Sequence, residues 1–202
     1  MGSQIIGFVN ADQKFLPISK CRILYALYLM TNDFDKLVKQ SRSIEYHIYE
    51  GTGALDPDMQ QLLQEAMLAS ATAHAPYSHF CVGAALLLED GSIVRGSNQE
   101  NAAYPSGLCA ERVAFFSAGS QHHGKKIVKA AVIAHPAGKE DRLVAASPCA
   151  ACLQVMLEYE TIQQQPIPFL FVGEPGKYYM LDSVADFLPF GFGAEDLIAA
   201  GR

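Results

Sequence analysis

A chain of 202 residues, half of them hydrophobic and with ordinary Gly and Pro usage, is long enough for one full core and gives no compositional reason for several domains. Its formal net charge of -6, without any Lys/Arg run, weighs against a phosphate-backbone partner. Five cysteines is an odd count, which suits a reducing, cytoplasmic setting better than a disulfide scaffold.

Residues 1–43 read differently from the rest. The apolar run from Ile23 to Met30 is far too short to span a membrane. Lys14, Lys20 and Arg22 precede it as in a signal peptide, but no small-residue cleavage site follows, and Asp33 and Asp35 come at once. The segment is therefore taken as an N-terminal extension of unassigned role. A leader that packs poorly and a piece translated from an upstream start, with Met30 as the true beginning, remain equal alternatives.

Residues 44–202 read as one α/β domain. Ile44 to Tyr49 alternates and suits a short extended arm. Asp56-Pro57 opens a helix in which Met59, Leu62, Leu63, Ala66 and Met67 recur at helical spacing, ending before Pro76. Val82–Leu88 and Ile93–Ser97 are strands joined through the hairpin signal Asp90-Gly91. A loop, 98–108, leads to a helix carrying Cys109, Glu111, Arg112, Val113 and Phe116. Ile127–His135 is a nearly continuous apolar strand, of the kind buried on both faces. Beyond a polar loop, a second helix carries Cys149 and Cys152, with Val155, Met156 and Tyr159 on its core side. Phe169–Val172 and Tyr178–Leu181 flank the turn Glu174-Pro175-Gly176-Lys177, and a short helix near Ser183–Phe187 closes the chain. This alternation predicts a three-layer α-β-α fold around a central mixed sheet of about five strands.

The chemistry concentrates in Cys109-Ala110-Glu111 and Pro148-Cys149-Ala150-Ala151-Cys152. Ser147 suits a helix cap and Pro148 the first helical position, which puts Cys149 and Cys152 on one face of the first turn. A helix N-terminus also favours the thiolate, the form that binds metal. Cys109 and Glu111 fit together only at a helix start, since deeper in a helix about 100° per residue would splay them apart. Three thiols and a carboxylate are what a catalytic zinc needs: three ligands, an open position for water and a proton carrier. Taken alone, C-x-x-C is equally a redox pair, half of a structural zinc site or two buried thiols. A closed structural site would draw a fourth ligand from His79, Cys81, His122, His123 or His135, none at the short spacing of structural zinc modules. Cys21 and Cys81 are left as plain thiols.

The Cys-x-Glu and Pro-Cys-x-x-Cys pair resembles the signature of zinc nucleobase deaminases. From Ser43 to about Leu197 the chain resembles the homotetrameric cytidine deaminases. The further segments that carry this are Pro76-Tyr77-Ser78-His79-Phe80, Val82-Gly83-Ala84-Ala85, Asn98-Gln99-Glu100-Asn101-Ala102-Ala103-Tyr104-Pro105 and Leu188-Pro189-Phe190-Gly191-Phe192-Gly193. The resemblance implies zinc on Cys109, Cys149 and Cys152, with Glu111 as proton shuttle. It implies that Asn98 and Glu100 bind the ribose hydroxyls, that Phe80 packs on the pyrimidine and that the backbone at Ala110 meets the base. Tyr104 and Phe192 would be lent to a neighbouring subunit's site in a tetramer. Unaided, Asn98 and Glu100 read as a turn pair, and Phe80 and Phe192 as core aromatics. Ala150 departs from a usual glycine, and Leu153 stands where the family often has arginine.

Three thiolates against a divalent ion leave a net negative site, which Arg112 is placed in sequence to offset by hydrogen bonds to sulfur; the alternative is an ordinary surface arginine. The leading function is zinc-dependent hydrolytic deamination of cytidine and deoxycytidine in pyrimidine salvage, with a small nucleoside as partner and neither nucleic acid nor membrane. The rivals are a deaminase of another aminopyrimidine such as blasticidin S, a nucleic-acid-editing deaminase and a zinc-stabilised binding module without catalysis.

Overall fold

In the computed structural model, which describes residues 39–199, six strands form one mixed sheet. In chain order the elements are β1 (His47–Glu50), α1 (Pro57–Ser70), β2 (Phe80–Leu88), β3 (Ile93–Ser97), α2 (Ala110–Gln121), β4 (Ile127–Pro136), α3 (Ala150–Gln163), β5 (Phe169–Glu174), β6 (Lys177–Leu181) and α4 (Ala194–Ala199). Short 3-10 turns at Tyr104–Ser106 and Val184–Phe187 interrupt the loops. The sheet order is β1-β6-β5-β4-β2-β3, with β4 and β5 parallel and every other neighbouring pair antiparallel. The apolar run Ile23–Met30, the Met30 start, Cys21 and residues 1–38 of the expected extension lie outside the described residues.

Alternation along the central strands explains the three layers. Ala84, Leu86 and Leu88 of β2, Ala130 and Val132 of β4, and Phe169 and Phe171 of β5 face one core, which α2 and α3 cover with Phe115, Cys152 and Met156. The intervening Ala85, Ala131, Ile133, Leu170 and Val172 face the other, covered by Met59, Leu62, Leu63 and Ala66 of α1. Both faces are thus apolar, so the strands read as continuous hydrophobic runs. Fully burying a side chain such as Met59 or Leu62 is worth about 1.5–3 kcal/mol.

Most elements fall where the sequence placed them; the two ends of the domain differ. The arm expected at Ile44–Tyr49 is a sixth strand, since His47–Glu50 pairs antiparallel with Lys177–Met180 of β6. The tail expected only to turn around Gly191-Phe192-Gly193 goes on into α4. Asp56 caps α1 by accepting the Met59 N–H at 3.1 Å, and Lys129 of β4 ties Asp56 and Asp58 to the sheet at 2.8 Å each. Among the described residues no helix is long and apolar enough to cross a membrane.

The fold sets α2 directly on β3. A Cβ added at Gly96 would lie 2.4 Å from the Ala110 carbonyl oxygen and 2.5 Å from the Ala114 nitrogen, both backbone atoms that cannot swing away. Gly96→Ala is expected to lift the start of α2 and cost about 1–3 kcal/mol or more. Urea unfolding of the variant checks this, and an unchanged midpoint would show that the helix is free to shift.

Candidate active site

Two helix starts converge on one spot. Cys109 is the N-cap of α2 (φ -71°, ψ 157°) and Cys149 the N-cap of α3 (φ -76°, ψ 160°), both in extended backbone. Neither side chain caps its own helix, which leaves both sulfurs to face each other. Cys152 lies one turn into α3 and is fully buried. The cap expected at Ser147, with Pro148 at the first helical position, is displaced by two residues: Ala150 and Ala151, the strongest helix formers, open α3 instead. Cys149 and Cys152 still share one face of the first turn, with their sulfurs 3.4 Å apart.

The three Sγ atoms lie within 4.8 Å of one another. Cys109 and Cys149 are 3.8 Å apart, and Cys149 and Cys152 3.4 Å. Tetrahedral zinc with Zn–S of about 2.3 Å calls for sulfurs about 3.8 Å apart, so the donor set and its spacing fit zinc. Among the described residues the cluster gains no further ligand: His135 is bonded to Ser70 at 2.9 Å on the α1 side of the sheet, and His79, Cys81, His122 and His123 do not join. That argues against a closed structural site. The thiols also polarise one another. A hydrogen bond from Cys152, with help from Arg112 and Cys149, draws Cys109 down to about 5 against the opposing effect of burial, while the same bond and burial push Cys152 up. A divalent cation between them removes this competition, because metal takes the thiolate.

Arg112 lies against the cluster. Burial lowers its pKa, but the Cys109 and Cys152 sulfurs more than restore it, and Nη2 donates to the Gly107 carbonyl at 3.4 Å. Its buried Nε is without a partner among the described residues, as suits a donor turned towards an anionic sulfur site.

Glu111, at the second position of α2, is 5% exposed. Burial pushes its carboxyl up to about 7; the Cys109 charge adds to the rise, and its own backbone N–H opposes it. Both Glu111 and Arg112 line a cavity of about 720 Å³, whose wall also includes Phe80, Val82, Val132, Cys109 and Cys149.

The remaining expected residues divide. Asn98 and Glu100 line the cavity, and both are also bonded to the segment that carries Phe80. Phe80 keeps 37% of its surface open, enough for a ring to lie on it. Tyr104 lines this chain's own cavity and meets Tyr77 edge-on at 6.3 Å. Ala110 has a fully buried side chain between two lining residues and does not itself line the wall. Phe192 stands outside the cavity, 56% exposed. Sequence reasoning missed Gln154, which grips Phe192 from α3: its Nε2 donates to the Phe192 carbonyl at 2.7 Å and its Oε1 accepts the Phe192 N–H at 3.3 Å. A polar residue two positions past Cys152 was the only local signal, and its partner lies 38 residues on.

If the three sulfurs are the metal ligands, the protein as isolated holds one zinc per chain, and Cys149→Ala or Cys152→Ala holds almost none. Atomic emission on folded, gel-filtered protein checks this. Cys152→Ala also opens a space in the core and lowers thermal stability more than Cys149→Ala, whose side chain is exposed.

Residues 57–165 match the family model described as the cytidine and deoxycytidylate deaminase zinc-binding region. The chain is 40% identical over 140 residues to a cytidine deaminase of Halalkalibacterium halodurans, covering 69% of this chain and 98% of that one. It is 42% identical over 146 residues to a cytidine deaminase of Sporosarcina psychrophila, covering 72% and 98%. Among solved structures, a cytidine deaminase from Burkholderia pseudomallei superposes with a TM-score of 0.55 at 34% identity, over 66% of this chain and 98% of that one. With the three sulfurs, the buried glutamate and the layered fold in agreement with these matches, the chain belongs to the cytidine and deoxycytidylate deaminase family.

Proposed function

We propose that this protein deaminates cytidine and deoxycytidine hydrolytically to uridine and deoxyuridine, in pyrimidine salvage. The observation that carries the reading is Glu111: a buried carboxyl that lines the cavity together with Cys109, where a purely structural metal site needs no proton carrier. Bound on Cys109, Cys149 and Cys152, zinc would lower the pKa of a water from about 15.7 towards neutrality. Glu111 accepts a proton from the attacking water as the water oxygen bonds to C4 of the pyrimidine, and delivers it to ring N3. It then relays the hydroxyl proton to the amino nitrogen, so that C4–N breaks and ammonia leaves as the C4 carbonyl forms. Burial holds this carboxyl above the usual carboxylate range, which suits a group that must both take and give a proton. Phe80, Val82 and Val132 give the base an apolar wall, and the helix start at Cys109 and Glu111, on either side of the buried Ala110, meets it. Asn98 and Glu100 take the sugar.

The family includes enzymes for nucleosides and for nucleotides, and the cavity favours the uncharged substrate. The Glu100 carboxyl is held below its usual range, first by the Ser78 hydroxyl and then by the Tyr77 N–H, so it stays ionised and repels a phosphate. Arg112 is the only cation among the described lining residues, and it is engaged at the sulfurs.

The catalytic domain is 44–202, as the compact unit Ser43–Arg202 supports, and 1–43 is an extension that carries none of the sequence motifs. The active form is a homo-oligomer, a tetramer in this reading, in which Phe192 covers a neighbour's pyrimidine. In support, Phe192 and the 96% exposed Phe190 lie outside their own core, while Gln154 fixes the Phe192 backbone. Tyr104, which lines its own cavity, reaches a neighbour only from that rim.

Incubating the zinc-loaded protein with cytidine, deoxycytidine, deoxycytidylate, cytosine and blasticidin S, and following ammonia, tests the reading; only cytidine and deoxycytidine are expected to turn over rapidly. Glu111→Gln is expected to keep its zinc and lose about 10²–10⁴-fold in kcat. Near-normal turnover by that variant would overturn the mechanism. Phe192→Ala chains co-assembled with Glu111→Ala chains should regain part of the activity each lacks, and no recovery in verified mixed oligomers would refute the shared site.

A further inference from the structure

Phe80 sits at the end of a tight turn that one neighbouring segment holds in place. The His79 N–H donates to the Ala75 carbonyl at 3.1 Å, and His79 itself lies at φ 54°, in the left-handed region. A residue with a Cβ persists there only where its surroundings over-determine it. The surroundings here are Asn98–Glu100. Their backbones interlock: His74 N–H to Asn98 O at 2.9 Å, Glu100 N–H to His74 O at 2.8 Å, and Asn98 N–H to Val82 O at 3.2 Å.

Side chains then take over what the backbone leaves. Glu100 Oε2 accepts the N–H groups of Tyr77 and Ser78 at 3.0 and 3.3 Å, ahead of the turn. Asn98, 9% exposed, spans the aromatic residue itself: its Nδ2 donates to the Phe80 carbonyl at 2.9 Å and its Oδ1 accepts the Val82 N–H at 2.8 Å. One side chain thus fixes the peptide groups on both sides of Cys81 and, with them, the direction in which Phe80 enters the cavity. An amide has two N–H donors and two acceptor lone pairs, so half of its capacity remains for a ligand. Asn98 can hold the wall and a sugar hydroxyl together.

We propose that Asn98 is a positioning residue for the pyrimidine ring: through its bonds to Phe80 and Val82 it sets the aromatic wall that holds the base over Glu111, besides any contact it makes with the sugar. The proposal rests on the cavity being a nucleoside site. It joins the two ends of the substrate, so that the residue that meets the sugar also keeps the base in register.

The test is a double-mutant cycle on zinc-loaded protein, reading kcat and KM for cytidine in the parent, Asn98→Ala, Phe80→Ala and the double variant. A group that acts only on the sugar raises KM by the same factor in both backgrounds. A group that acts through Phe80 also lowers kcat, by about tenfold or more, because small misplacements of reacting groups cost up to about 10²-fold. That kcat loss should shrink below about threefold once Phe80 is gone, the signature of coupled neighbours. Hydrogen exchange of the segment 80–82 should quicken in Asn98→Ala while β4 stays protected. Asn98→Asp, which keeps the acceptor for Val82 and loses the donor to Phe80, is run beside it and should show the same kcat pattern should the alanine variant fail to fold. Equal kcat losses in both backgrounds, or a change in KM alone, would overturn the proposal while leaving the function intact. A parent protein inert towards cytidine would instead overturn the function.

Discussion

Everything at this site depends on two helix N-termini pointing at the same few cubic ångströms. Each helix start carries unpaired N–H groups and a partial positive charge, which favours thiolate over thiol. Cys109 and Cys149 occupy the two N-caps without capping, so their sulfurs project from the open ends, and Cys152 adds a third from inside α3. Cysteine is not a favoured cap, and the chain gives up the stabilisation of about 1 kcal/mol that Ser or Asp would supply at each position. A metal ion is the physical reason to accept that loss twice.

The sheet holds these two helices at the required distance. Gly96 lets α2 settle against β3 under the Cys109-Ala110-Glu111 turn. At the far end of α3, the buried Glu160 carboxylate gathers the N–H groups of Ile167, Val184 and Ala185 and the Ser183 hydroxyl, binding the helix to the entry of β5 and to the turn after β6. Gln154 then fastens the tail at Phe192. The helix that presents two of the three sulfurs is therefore also the one that holds the backbone of the exposed Phe192.

What was legible in the sequence was local. The apolar runs of β2, β4 and β5, the Asp90-Gly91 hairpin and the Asp56-Pro57 helix start each act over a few residues, and so the order of the central elements could be read directly. The Cys109, Glu111, Cys149 and Cys152 spacings are local too, and the structure brings the three sulfurs together. Less legible was whatever depends on a distant partner. β1 is a strand only because β6, some 130 residues on, supplies its ladder, and its exposed Ile48 gives no burial signal. The start of α3 lies two residues past Ser147, the better cap by propensity, because Ala150 and Ala151 open the helix with Cys149 at its cap. Asn98 and Glu100 looked like a turn pair, since their bonds to Tyr77, Ser78, Phe80 and Val82 cross 16 to 23 residues of chain.

The central claim is that three thiolates at two helix ends make an open zinc site. X-ray absorption at the zinc edge of the purified, substrate-free protein tests it most directly. The account predicts three sulfur neighbours at about 2.3 Å and one lighter atom in the remaining position. Four sulfur or imidazole neighbours, or a folded protein that takes up no zinc, would contradict it.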